Sequence, residues 1–196
     1  MIEQEMCLTI TQFSKDKMGE DVIHGFSHVK RVLNSCLNIG KKLNANLIIL
    51  EISALLHDIG RKHENKGNMG KNHAEISAGM ALNFLTSRDF KLSQEEIDNI
   101  IHSIRSHSFS NIALPNTLEA KILSDADKLD ALGAIGLFRT IGFAIKKGAG
   151  LEKVINHLER KILKLKDQMN LPISKKLAEE RNQIILDFYR NIRNEI

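Results

Sequence analysis

Only two prolines, Pro115 and Pro172, occur in 196 residues. With so few helix breakers, the chain is free to be helical along most of its length. Tryptophan is absent, and cysteine occurs only at Cys7 and Cys36. That pair lacks a metal-binding spacing, and with no secretion signal it reads as two reduced thiols, not a disulfide. No run approaches the ~18 consecutive apolar residues that mark a membrane span. The opening MIEQEMCLTI also lacks a basic start followed by an apolar stretch. These absences predict a cytoplasmic chain with no membrane partner. Excess charge is slight too: 28 Lys and Arg against 24 Asp and Glu leave a formal net charge of +4. Basic residues alternate with acidic ones along the predicted helix faces. That pattern reads as solvated surface and does not suggest nucleic acid as a partner.

Apolar residues recur at helical spacing almost throughout, and alternation of period two is missing, which predicts an all-α fold. The spacing predicts helices over 3–17, 27–43, 46–57, 73–87, 93–106, 117–129, 131–147, 151–165 and 174–194. Ser27, Ser93 and Ser174 are expected N-caps, and Glu96, three residues after Ser93, completes a capping box. Gly148 and Gly150 are expected to stop one helix before the next begins. The length suits a single domain, 1–196, with a substantial core. The polar stretch GRKHENKGNMGKN, 60–72, reads as a flexible basic loop over any substrate bound beside it.

The chemistry begins at LLHDIGRKHE, 55–64, where an apolar run ends on His57–Asp58. Both side chains cost free energy to bury unless they are paired. They are either a hydrogen-bonded structural pair or two ligands of one cation. Further donors stand elsewhere: His28 near the start of its helix, His73 opening HAEISAGM, His107 closing IIHSIRSH, and Asp127 within LSDADKLDALGAIG. Most lie at or within a turn of a predicted helix end, so a bundle can bring them into one pocket. Imidazole and carboxylate donors suit a divalent cation such as manganese, iron, cobalt, nickel, zinc or magnesium, and the lack of cysteine argues against a structural thiolate zinc site. A lone histidine on an apolar helix is more often a core residue than a ligand. Spacing alone leaves both readings open.

The order His28, His57–Asp58, Asp127 resembles the signature of HD-domain metal-dependent phosphohydrolases. SHVKRVL, ALLHDIG, SIRSHSF and DADKLDALGAIGLFR match that family's blocks in order over 23–139. The last block is similar to a subgroup of small bacterial and archaeal HD hydrolases, some of which act on nucleoside triphosphates. The resemblance implies a helical bundle with a metal held between its central helices. It places His28, His57, Asp58 and Asp127 in the four ligand positions. His107 and His73 correspond to two further histidines that complete a two-metal site in some branches and otherwise line the pocket. The family often has lysine after HDIG; Arg61 here keeps the charge and adds a planar fork, so Arg61 and Lys128 are the expected phosphate contacts. No motif assigns the general acid or base. Glu64 and Glu75 are candidates, set against their being ordinary surface glutamates. Asp125 and Asp130 either orient the ligand between them or belong to the helix surface.

The function implied is hydrolysis of a phosphate ester or anhydride by a metal-bound hydroxide, with a small phosphorylated molecule, a nucleotide, as substrate. Two other functions fit the same residues. One is a di-iron oxygenase, because six-ligand members of the fold activate dioxygen. The other is a nucleotide sensor without turnover. The segment 151–194 lies outside the matching blocks, and its amphipathic helices are expected either to complete the bundle or to form a homodimer surface.

Overall fold

The computed structural model describes residues 4–19, 21, 23, 25–64, 72–108 and 113–196. Every regular element among them is helical, as the spacing predicts. The helices are α1 (Gln4–Met18), α2 (Phe26–Leu43), α3 (Leu47–Leu56), α4 (His73–Thr86), α5 (Gln94–Ser106), α6 (Leu118–Asp130), α7 (Gly133–Lys146), α8 (Leu151–Arg160) and α9 (Pro172–Glu195). Two 3-10 segments, Arg61–His63 and Ile162–Gln168, follow α3 and α8. The residues cluster into two compact units, Met1–Ala126 and Asp127–Ile196.

In the first unit α3 is the inner helix. Its sequence LIILEISALL is apolar around nearly its whole circumference, which suits a helix covered on several sides. It packs against α1, α2, α4 and α5. Ile49, Ile52, Leu55 and Leu56 from α3 join Ile10, Val29, Ala78, Ala81, Ile100 and Ile104 in one core. The ends of α3 are tied down by hydrogen bonds. The Asn46 side chain accepts from the N–H groups of Ile48 and Ile49 at 3.0 and 3.3 Å. Its own backbone N–H donates to Glu119 of α6 at 2.8 Å, and the other Glu119 oxygen accepts from Asn99 of α5 at 3.0 Å. At the far end the Ser14 hydroxyl of α1 donates to the Leu55 carbonyl. The second unit packs α7 against α8 and α9. There Arg181 of α9 donates to the Leu129 carbonyl at 2.7 Å and Tyr189 donates to Glu159 of α8 at 2.6 Å.

Ser93 caps α5 with the expected capping box, Glu96 N–H to Ser93 Oγ at 3.2 Å and Ser93 N–H to Glu96 at 2.9 Å. The other two expected caps are corrected. Gly25 precedes α2 as its N-cap, so Ser27 lies inside the helix. A Cβ at Gly25 would come within 2.2 Å of the Asp21 carbonyl oxygen, so only glycine fits where this helix begins. In α9, Pro172 occupies the start, because its fixed φ already matches a helix and its missing N–H is not needed there. Ser174 is therefore a buried residue of the first turn. The helix expected at 131–147 begins two residues late, at Gly133, whose φ of +71° favours glycine. The helix expected over 151–165 stops at Arg160, where Lys161 leaves helical geometry at φ −129° and ψ −61°.

Of the basic loop expected at 60–72, residues 61–63 form the 3-10 turn and 65–71 lie outside the described residues. Cys7 and Cys36 form no disulfide. Among the described residues no helix is long and apolar enough to cross a membrane. The cap on α3 generates one prediction. Asn46→Ala leaves two N–H groups of α3 without their acceptor and should lower stability by about 1 kcal/mol. Urea denaturation of the variant beside the wild type measures this, and an unchanged midpoint would mean that the cap contributes nothing.

Candidate metal centre

Four histidines reach one place because each stands at a helix end. His28 lies in the first turn of α2 and His73 opens α4, while His57 and His107 follow the last residues of α3 and α5. The packing of α3 against α2 and α5, and of α4 against α5, brings two N-terminal and two C-terminal ends together. Asp58 is at the centre of them. Its Oδ2 lies 3.7 Å from His28 Nε2 and 3.9 Å from His57 Nε2. Its Oδ1 lies 3.6 Å from His73 Nε2 and 3.7 Å from His107 Nε2. Two sets of donor atoms result, His28–His57–Asp58 and Asp58–His73–His107, each within 4.8 Å of one another. All five side chains are buried.

The hydrogen bonds fix which ring nitrogen points inward. His57 Nδ1 lies 2.8 Å from the Ala54 carbonyl and His107 Nδ1 lies 2.6 Å from the Ile104 carbonyl. A carbonyl only accepts, so both Nδ1 atoms carry a proton and the Nε2 atoms are the nitrogens turned inward. His73 reaches the same tautomer by another route. Arg61 Nη2, which only donates, is 3.0 Å from its Nε2, while Glu64 accepts from its Nδ1 at 3.2 Å and from its backbone N–H at 3.2 Å. Burial and then the Arg61 charge lower the His73 pKa, which keeps the ring neutral. These donors fit a cation. His107 Nε2 is buried with no hydrogen-bond partner, and His28 Nε2 faces His57 Nε2 at 3.2 Å. Inward imidazole nitrogens around one carboxylate make a donor set for a divalent ion.

Burial by itself would raise the pKa of Asp58. The Arg61 charge first, and then His57, His107 and His28, outweigh that and hold the carboxyl well below the usual carboxylate range. Arg61 grips it with both arms of its fork, Nε to Oδ2 at 2.7 Å and Nη2 to Oδ1 at 2.9 Å. The turn that carries Arg61 is itself anchored. The N–H of Gly60 donates to Ser77 Oγ of α4 at 2.9 Å, and a Cβ on Gly60 would come within 2.6 Å of the Ser77 nitrogen.

The remaining expected residues are distributed as follows. Glu64 sits against His73, as a carboxylate that orients the ring. Glu75 pairs with Arg105 at 3.1 Å on a face where both are more than a third exposed. Asp125 is buried in the first unit. Asp127 and Lys128 begin the second unit, Asp127 half-buried and Lys128 buried, and their roles rest on the family resemblance. Asp130 binds Arg139 at 2.6 Å. Three contributors escaped the reading of the sequence: Ser77, Ser124 and the turn at Gly60. Ser124 Oγ donates to the His107 carbonyl at 3.3 Å, across 17 residues. No periodicity marks such a contact, although the glycine of HDIG is a signal for a close backbone approach.

A family model of the HD domain matches residues 25–132. YpgQ of Bacillus subtilis (strain 168) is 35% identical over 182 residues, covering 88% of this chain and 84% of that protein. The crystal structure of Bacillus subtilis YpgQ in complex with ADP gives a TM-score of 0.79 at 32% identity, covering 100% of this chain and 97% of that one. A crystal structure of an HD-superfamily hydrolase from Bacillus thuringiensis gives 0.74 at 28% identity, covering 98% and 97%. The chain belongs to the HD-domain family, and its fold is that of HD-superfamily hydrolases.

Gly60→Ala should force the 3-10 turn off α4, since the clash is with backbone on the other side. A loss of about 1–3 kcal/mol is expected from this overpacking. Urea denaturation reads it; a variant as stable as the wild type would show that the turn and α4 separate without cost.

Proposed function

We propose that the protein is a metal-dependent phosphohydrolase that cleaves a phosphate ester or anhydride in a nucleotide. The observation that carries this reading is the convergence of His28, His57 and Asp58, buried and with ring nitrogens turned inward, on an HD-domain frame. The family resemblance adds Asp127 as the fourth ligand. The nucleotide part is supported by the ADP held in the structure of YpgQ. When bound, a divalent ion supplies a Lewis acid that offsets phosphoryl charge and acidifies water.

The chain's own residues account for holding and orienting. Carbonyls of α3 and α5 hold the His57 and His107 rings in one tautomer, so no reorganisation is required when a ligand binds. Arg61 and Lys128 provide positive charge for the phosphate, and the arginine fork matches two phosphate oxygens. Glu64 holds a proton on His73 Nδ1, which leaves Nε2 as the nitrogen turned inward. We read one strong cation site, with His73 and His107 beside it lining the pocket. The support is the resemblance to the subgroup of small HD hydrolases with four ligand positions.

Purified protein loaded with manganese should release phosphate or pyrophosphate from at least one nucleotide, and silence across nucleotides and divalent metals would count against hydrolysis. His57→Ala and Asp58→Ala should each lower turnover by more than about 100-fold. Circular dichroism should show both still helical, because each change removes a buried polar group and not a core contact. Near-normal activity in either variant at limiting metal would remove the central claim.

Titration of metal-free protein should give one tight equivalent per chain. Two tight equivalents, with the second lost in both His73→Ala and His107→Ala, would replace the single-ion reading with a two-ion site.

A further inference from the structure

The residue expected to meet phosphate is occupied elsewhere. Both arms of the Arg61 fork lie on Asp58, at 2.7 Å to Oδ2 and 2.9 Å to Oδ1. These are the oxygens that face the histidines, Oδ2 toward His28 and His57, Oδ1 toward His73 and His107. A guanidinium and a coordinated cation therefore compete for one carboxylate. Two positive centres sharing it in a buried setting repel more strongly than they would in water. The two partners also differ in freedom. The Asp58 side chain is 0% exposed, whereas the Arg61 side chain is 28% exposed and is carried on a three-residue 3-10 turn. The planar fork that fits a carboxylate fits a phosphate equally well.

We propose that Arg61 is a displaceable counter-cation of Asp58: its guanidinium would leave the carboxylate when Asp58 serves as a ligand to a divalent ion, and the released fork would turn to the substrate's phosphate. This rests on the metal-site reading above and extends it to the order of binding. Asp58 keeps a positive partner at every stage, first the arginine and then the ion. Because Arg61 cannot hold carboxylate and phosphate with the same fork, metal loading and phosphate capture favour one another, and linkage makes the effect reciprocal. His73 shares in the exchange, since Arg61 Nη2 also donates to its Nε2 and leaves it when the fork swings.

Calorimetric titration of manganese into metal-stripped wild type, Arg61→Ala and Arg61→Lys tests the competition, with circular dichroism as the check on folding. Manganese should bind Arg61→Ala about tenfold or more tightly than wild type. Arg61→Lys should fall between them, because its ammonium keeps the charge without the fork. In the wild type, the Arg61 Nε–H resonance should be protected from exchange before metal and lose that protection when magnesium or zinc saturates the site. This second measurement decides the matter if Arg61→Ala does not fold. Manganese binding that is unchanged or weaker in folded Arg61→Ala, or an Nε–H still protected at saturation, overturns the exchange and leaves the metal site standing. No cation uptake by the wild type overturns both.

Discussion

A carboxylate with no access to solvent sets the terms for the rest of the first unit. Asp58 is 0% exposed and ionised. Leaving such a charge without a cation costs about 3–5 kcal/mol, a large part of the roughly 5–15 kcal/mol by which a domain is stable. The fold meets that demand with an arginine three residues on and with imidazoles from four helix ends. Each of these needs its own support. Arg61 depends on a turn pressed against α4, and the rings depend on carbonyls and a glutamate that fix their tautomers.

The supports come from groups that a helix leaves over. The last carbonyls of a helix have no partner within it. At the ends of α3 and α5, the Ala54 and Ile104 carbonyls are used by the rings of His57 and His107. A histidine just past a helix C-terminus thus satisfies an orphan carbonyl and points its other nitrogen away from the helix. Two such ends beside the starts of α2 and α4 give a ring of imidazole nitrogens around Asp58. The fold and the chemistry share the same hydrogen bonds, so a change that frays these helix ends also disorders the donors.

Membership of the HD-domain family sets this arrangement beside YpgQ, whose crystal structure holds ADP. In the present chain Asp58 is balanced by the residue that follows HDIG. An arginine follows HDIG here, and a fork grips both carboxylate oxygens where an ammonium would make a point contact.

How much of this was legible varies with the range of the interaction concerned. Helices follow from local spacing, and the boundaries at Ser93 and Gly150 follow from local chemistry, so they were readable in the sequence, as was the all-α class; His28, His57, Asp58, His73 and His107 were named there as candidates, and the structure brings them together. The starts of α2 and α9 were misplaced because Gly25 and Pro172 outcompeted nearby serines, a contest between two plausible local signals. The division of roles was not readable at all. That Arg61 lies on Asp58, that Glu64 orients His73 while Glu75 turns to Arg105, and that Ser77 and Ser124 brace the site all depend on which helix faces meet. The sequence by itself determined which groups bear charge and lone pairs and which segments coil. Only the tertiary structure decided their pairing, because a buried charge chooses its partner by distance in space, and distance along the chain does not encode it.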